Sequence, residues 1–179
     1  VDHAYFLQKM ISAGGPVLEV GVGTGRIFQD ALNKGADVYG LDISEQMINR
    51  LKSKLSSENH SRISQDDVRE FDLGKQFQLI VAPFRVFAHL LTVEDQFKSL
   101  VFIHRHLLTG GLFIFDLFVP DLRRLMDGLD KIVDFDGEYE PGKMLRRIVS
   151  AKANLIEQMN NVTMTYEWEE GGETISKTW

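Results

Sequence analysis

Three glycines at alternate positions, Gly21, Gly23 and Gly25, separate a short apolar run at residues 16–20 from a helical pattern at residues 26–34. A strand that runs into such a loop and leaves it as a helix has few folds open to it. Glycine has no Cβ and tolerates positive φ, so the backbone there can lie directly against a ligand. The helix N-terminus beyond the loop favours anionic groups. A glycine loop alone is weak evidence, and two features sharpen it. Its spacing is G-x-G-x-G, not the G-x-G-x-x-G of dinucleotide loops. An acid, Glu19, stands two residues before Gly21.

The first two-thirds of the chain repeats the strand–helix alternation. The 26–34 helix carries Ile27, Phe28, Ala31 and Leu32 on one face and stops at Gly35. Further strands are expected at 37–41, weakly at 62–64, at 78–82 before Pro83, and at 112–118 after a turn at Thr109-Gly110-Gly111. The last of these is apolar on both faces. Ser44 caps a helix with Met47, Ile48, Leu51 and Leu55 at helical spacing. Thr92 and Asp95 resemble a capping box before a helix carrying Phe97, Leu100, Val101 and Leu107. Such a pattern implies a parallel sheet covered by helices on both sides. Right-handed crossovers then gather the loops at the strand C-termini along one edge, where ligands bind.

After Pro120 and a short helix at 121–126 the signals turn antiparallel. Residues 143–153, 156–168 and 173–179 are rich in β-formers, with hairpin turns at Pro141-Gly142 and Gly171-Gly172. Val162, Met164, Tyr166 and Trp168 alternate with polar residues and are expected to form the buried face of a β-meander. The reading is an α/β fold with an appended antiparallel unit, in two domains, 1–130 and 131–179.

The 179 residues, 44% of them apolar, can bury a core without staples. Cysteine is absent, which excludes disulfides, thiolate metal sites and a cysteine nucleophile. The net charge of -6 argues against a broad nucleic-acid surface. No apolar run approaches the roughly 20 residues of a membrane span. Val1-Asp2-His3 is not a basic leader, so no signal peptide and a cytoplasmic location are expected.

A second acid, Asp42, ends the second strand, where a carboxylate can accept both hydroxyl protons of a ribose. Ile43 beside it can pack on an adenine face. The third strand ends in Gln65-Asp66-Asp67-Val68. A carboxylate there can take the adenine amino group while neighbouring backbone reaches a ring nitrogen.

With these residues the sequence resembles the class I S-adenosylmethionine-dependent methyltransferases, in the small-molecule branch with E-x-G-x-G-T-G-R followed by G-x-D-x-S. The likeness runs from about Phe6 to Phe118 through VLEVGVGTGR, YGLDIS, QDDVREFDL, QLIVAPFRVFAHLL and LLTGGLFIFDLF, in that order. It implies a Rossmann-like three-layer sandwich with S-adenosylmethionine as cofactor and a small-molecule acceptor. It implies that Gly21 and Gly23 face the methionine part, with Val22 and Gly25 in the same loop. Glu19 would position the ammonium group or the loop, and Arg26 would reach the carboxylate. Asp42 would hold the ribose, Ile43, Met47 and Val68 would flank the adenine, and Asp67 would bond its amino group. Ala82 and Pro83 would also line the cofactor. In the family two more strands normally follow the fifth. The meander occupies the place of an insertion here and nothing after it supplies those strands, so a C-terminally truncated chain is expected, with an open edge on the fifth strand to be covered by the meander or a second copy.

Candidates for the chemistry lie after the fourth strand. His89 would act as a base or orient the acceptor, or else pack or cap a helix. Arg85 would bind an anionic acceptor or be solvated. Phe84 and Phe87 would line a pocket or the core. Asp116, read as mid-strand, needs partners and so has either a site role or a structural hydrogen bond. His104 and His106 read as surface residues, and Arg146 and Arg147 as surface charges on opposite strand faces. No metal site is expected. The segment at residues 83–86 lacks the Asn/Asp-Pro-Pro-aromatic tetrad of base-amine methylases, and no Tyr-x-x-x-Lys pair supports a nicotinamide-dependent oxidoreductase. A non-catalytic protein of the same fold is the remaining alternative.

Overall fold

The computed structural model describes residues 2–119 and 121–179. Val1, at the start of the expected non-leader segment, and Pro120, where the α/β pattern ends, lie outside the described residues. Two compact units divide between Phe118 and Val119.

The first unit contains α1 (Asp2–Ile11), β1 (Val17–Val20), α2 (Phe28–Asn33), β2 (Val38–Asp42), α3 (Glu45–Lys52), β3 (Ile63–Gln65), β4 (Phe77–Ala82), α4 (Val93–Arg105) and β5 (Leu107–Phe115), with short 3-10 turns at Ser57–Arg62 and Val86–His89. Its five strands are all parallel in the order β3-β2-β1-β4-β5. The chain therefore reverses direction across the sheet between β1 and β4, the position at which open α/β sheets bind ligands.

Strand alternation sorts the core into two layers. Val17, Val38, Leu79 and Val81 meet Phe6 and Met10 of α1, Ile27, Phe28 and Ala31 at α2, and Ile48 and Leu51 of α3. On the other face Leu18, Val20, Leu41 and Ile80 meet Phe71, Phe87 and Ile103. The caps form as the sequence implies: Ser44 Oγ accepts from Met47 N, and Thr92 Oγ1 from Asp95 N. The helix α1, which the sequence pattern does not mark, buries Phe6 and Met10 at i, i+4 spacing.

Several expectations need correction here. Thr109-Gly110-Gly111 is not a turn ahead of a strand but lies within β5. The extra residues are taken up where the β4 register jumps from Phe77↔Leu107 to Leu79↔Leu112. Leu107 accordingly opens β5 and is not part of α4. β5 ends at Phe115, and residues 116–118 are irregular. As the edge strand it leaves Leu112 60% exposed, although its sequence is apolar on both faces. On α4, Phe97, Leu100 and Val101 are exposed, and the helix instead buries Ser99 and Ile103, whose face meets the sheet.

The second unit begins with α5 (Leu122–Asp127) and then forms an antiparallel meander of β6 (Leu129–Glu140), β7 (Lys143–Asn154), β8 (Met159–Glu170) and β9 (Glu173–Thr178). Two-residue turns at Pro141-Gly142 and Gly171-Gly172 join β6 to β7 and β8 to β9, as expected. β6 is a strand that the β-former pattern does not predict. The face carrying Val162, Met164, Tyr166 and Trp168 exists, but it is exposed or half-exposed, not buried. Val149 is the only buried apolar side chain on this sheet among the described residues. Arg146 and Arg147 pair with Asp136 and Asp134 at 2.9 and 2.8 Å, as surface charges do. No helix among the described residues is long and apolar enough to cross a membrane.

His106 is buried, not a surface residue. It stacks on Phe71 with centroids 4.2 Å apart. Its Nδ1 lies 2.8 Å from the Phe102 carbonyl, and its Nε2 accepts from Leu73 N at 3.3 Å. Those partners fit a ring that donates from Nδ1 to the carbonyl and accepts at Nε2. His106→Leu keeps the bulk but leaves the Leu73 N–H without its acceptor. It should lower the unfolding free energy by about 1–3 kcal/mol in urea titrations, whereas the exposed His104→Leu should change it by less than about 0.5 kcal/mol.

Candidate functional site

The glycine loop is held from several sides. Gly21 N and Val22 N both donate to Leu41 O of β2, and Gly25 N closes back on Val22 O. Lys54 Nζ donates to Thr24 O, and Gln29 Nε2 to Gly25 O. Gly25 has φ +83, and a Cβ there would stand 2.2 Å from Leu51 Cδ1, so α3 packs where a side chain would sit. Gly23 differs: with φ +54, its Cβ position meets nothing closer than Gly21 O at 3.9 Å. The backbone there faces open space.

Asp42 ties this loop to the next element. Its Oδ2 accepts from Gly23 N and its Oδ1 from Ser44 N, both at 2.8 Å. An ionised carboxylate presents about four acceptor sites, so each oxygen retains capacity. The carboxylate lines a cleft of about 380 Å³ at the C-terminal ends of β1, β2 and β3. That size lies in the range of small-molecule sites, about 300–1,000 Å³.

Of the residues singled out from the sequence, Gly21, Asp42, Ile43, Asp67, Val68 and His89 line the cleft. Val86, Leu90, Arg69 and Asp95 join them, and sequence reasoning does not find these four. The Asp-x-Arg spacing of Asp67 and Arg69 is the available signal. Arg69 Nη2 meets Asp67 Oδ2 at 2.6 Å, and its Nη1 reaches Asp95 Oδ1 at 3.3 Å. The hydrogen bonds from Arg69 hold the Asp67 carboxyl below the usual carboxylate range.

The remaining candidates are not among the residues that line the cleft. Val22 is buried against Gly40, and Ala82 lies in the second core layer. Pro83 is buried and Met47 is 47% exposed on α3. The Arg26 guanidinium lies 3.7 Å over the Phe84 ring. Phe84 and Arg85 both have positive φ, 59° and 64°, a conformation that costs non-glycine residues about 1–3 kcal/mol each and concentrates at functional sites. Asp116 lies beyond β5, not mid-strand, and its Oδ1 accepts from Arg85 N at 3.1 Å. Its observed contact is therefore the structural hydrogen bond to that turn.

Glu19 is 2% exposed in the middle of the sheet, and its Oε2 has no hydrogen-bond partner. Burial pushes its carboxyl up to about 8, while the Arg26 charge pulls the other way. A buried polar atom without a partner is costly. Among the described residues, no group of three or more His, Asp or Glu side chains is arranged to hold a metal ion.

Residues 17–111, which include the glycine loop, the Asp42 strand and the cleft wall, match the family described as Methyltransferase domain. The chain is 26% identical over 113 residues to a dTDP-3-amino-3,4,6-trideoxy-alpha-D-glucopyranose N,N-dimethyltransferase of Streptomyces venezuelae, covering 63% of this chain and 46% of that one. Solved structures share its fold. The sugar N-methyltransferase KedS8 from a Streptoalloteichus species aligns with a TM-score of 0.79 at 17% identity, over 99% of this chain and 70% of that one. S-adenosylmethionine-bound CalS10, an amino pentose methyltransferase from Micromonospora echinaspora, aligns with a TM-score of 0.76 at 19% identity, over 99% and 72%. The chain spans about half the length of the curated relatives it matches. The glycine loop locked to Asp42, the parallel sheet around it and the match over residues 17–111 give one conclusion: this chain belongs to the methyltransferase-domain family.

Proposed function

We propose that this chain binds S-adenosylmethionine in the cleft beside Asp42 and serves the transfer of its methyl group to a small-molecule acceptor. The observation that carries the reading is the glycine loop pinned by Asp42, with open space at Gly23 and the unpartnered carboxyl oxygen of Glu19 behind it. These residues fit the cofactor. Asp42 has acceptor capacity left for two ribose hydroxyls. Ile43 and Val68 offer apolar flanks for the base, and Asp67 an acceptor for its amino group. Glu19 offers a buried acceptor to an ammonium group or to the loop. When bound, the cofactor supplies an electrophilic methyl group and a neutral thioether leaving group.

The protein's part is to align the acceptor and keep water out. His89, at the cleft wall, is the residue we assign to orienting the acceptor or removing its proton. Arg85 and Asp116 shape the turn beside it through the Arg85 N–H bond. The Streptomyces venezuelae relative and KedS8 are both named for nitrogen methylation of sugars, which supports a pocket-sized acceptor. The net charge of -6 supports a partner other than nucleic acid. The half-exposed apolar face of β7 and β8 supports pairing with a second copy, and we read the protein as cytoplasmic.

Calorimetric titration with S-adenosylmethionine and with NAD tests the reading. The chain should bind the first saturably and not the second. Asp42→Ala should weaken binding by about tenfold or more, since it removes charge-assisted hydrogen bonds. A folded sample that ignores S-adenosylmethionine, or that prefers NAD, would overturn the assignment.

The charge state of Glu19 gives a second expectation. Its carboxyl is raised from 4.5 to about 8 in the folded chain, so between those values the folded state keeps a proton that the unfolded chain releases. Its stabilising contribution is complete below pH 4.5 and is lost as pH rises through about 8. Cofactor-free wild type should lose stability relative to Glu19→Gln by about 1 kcal/mol per pH unit between pH 5.5 and 7.5. A stability difference between the two proteins that stays constant across that range would show that the folded chain holds no proton on Glu19 that the unfolded chain releases.

A further inference from the structure

The grip of Arg69 on Asp67 bears on how the base is read. Arg69 donates to Asp67 Oδ1 from its backbone N at 2.9 Å, and from Nε to both carboxylate oxygens at 3.0 Å. Nη2 adds a bond to Oδ2 at 2.6 Å. The backbone N–H, the shared Nε–H and the Nη2 donor thus occupy most of the roughly four acceptor sites on the carboxylate and leave room for about one more. The guanidinium is fixed at its far side as well, where Nη1 meets both oxygens of Asp95 at 3.3 and 3.4 Å. Asp95 is itself anchored at the start of α4, its N–H donating to Thr92 Oγ1 at 3.0 Å. All three charged groups line the cleft. A planar fork held at both ends cannot rotate without breaking charge-assisted bonds, so the Asp67 carboxylate is held in one orientation.

Resting on the proposed cofactor reading, we infer that Arg69 is the positioning residue for base recognition: it fixes Asp67 as a single-site acceptor for the exocyclic amino group of adenine, and so sets a preference for adenosyl over 6-oxopurine ligands. An amino group donates to the remaining acceptor site. A 6-oxo group turns an acceptor toward an acceptor, leaving both unpaired in a partly dry cleft, which is the kind of mismatch that discriminates strongly. The depressed pKa of Asp67 agrees with a carboxylate kept ionised, and therefore acceptor-only, by its clamp.

Titration of the full chain with S-adenosylhomocysteine and with S-inosylhomocysteine, which differ at this position of the base, tests the inference. Wild type should prefer the adenosyl ligand by about tenfold or more, the worth of one hydrogen bond to a charged group. Arg69→Gln should lose most of that preference through weaker adenosyl binding, with inosyl binding nearly unchanged. Arg69→Lys keeps the charge without the fork and should retain an intermediate ratio. It also serves if the glutamine variant fails to fold. Asp95→Asn should reduce the ratio less than Arg69→Gln. An arginine that only braces the fold would lower both affinities or the melting temperature together, and an unchanged ratio in the Arg69 variants overturns the inference. Wild type that binds both ligands equally overturns it while leaving the cofactor site intact. Wild type that binds neither overturns the cofactor reading, and this inference with it.

Discussion

One carboxylate holds the glycine loop in register with its neighbour. Asp42 takes the Gly23 N–H on one oxygen and the Ser44 N–H on the other, each at 2.8 Å. The first bond fixes the loop that follows β1. The second turns the chain at the end of β2 so that Ser44 can cap α3. α3 then lays Leu51 over Gly25, where a Cβ would have to displace the leucine side chain. Loop, strand end and helix are thus mutually dependent, and the cleft beside Gly21 and Asp42 depends on all three. The same carboxylate keeps acceptor capacity for a ligand, so the group that organises the site also has a functional use within it.

The site stores cost in two places. Glu19 carries a carboxyl oxygen into the sheet interior with no partner, and the fold tolerates it by raising the pKa so that the group is neutral. Phe84 and Arg85 adopt left-handed backbone conformations immediately after β4. Asp116 and the Arg26–Phe84 stack oppose that strain from the end of β5 and from the glycine loop. Both features lie near the loops at the C-terminal strand edge, where the sheet order reverses. Sequence optimised for stability alone would place a hydrophobe at residue 19 and a glycine at 84 or 85.

What the sequence discloses, and what it hides, follows from the range of the interactions. The loop, its flanking strands, the Ser44 and Thr92 caps and the face of α2 are set by residues within a few positions of each other, and all are legible. β6 is not among them: Val133 and Phe135 alternate with Asp134 and Asp136, and the acidic residues obscure the strand pattern. The bulge at Thr109-Gly110-Gly111 resembles a turn because glycine pairs serve both purposes. The remaining failures are tertiary. Nothing local marks His106 as buried, since it is Phe71 from another segment that stacks on it. Nothing local decides which side of α4 meets the sheet. The pairing of Arg69 with Asp95, 26 positions away, is invisible until the chain folds.

Each unit owes its internal order to different physics. The α/β unit buries two apolar layers, one on each side of its parallel sheet, and such burial is the dominant favourable contribution to folding. The meander buries little beyond Val149, and its cross-strand pairs Arg146–Asp136 and Arg147–Asp134 are exposed, where ion pairs contribute little. Its order rests on long hydrogen-bonded ladders, with β7 and β8 in unbroken register from Leu145↔Trp168 to Asn154↔Met159. Ladder hydrogen bonds have modest net worth when the alternative is water. An antiparallel sheet with one aromatic-rich face left open, carrying Tyr166 and Trp168, gains most from anything apolar that covers that face. The α/β unit can therefore specify its own site from its own core, while the meander is the part whose stability is most open to change by what it contacts.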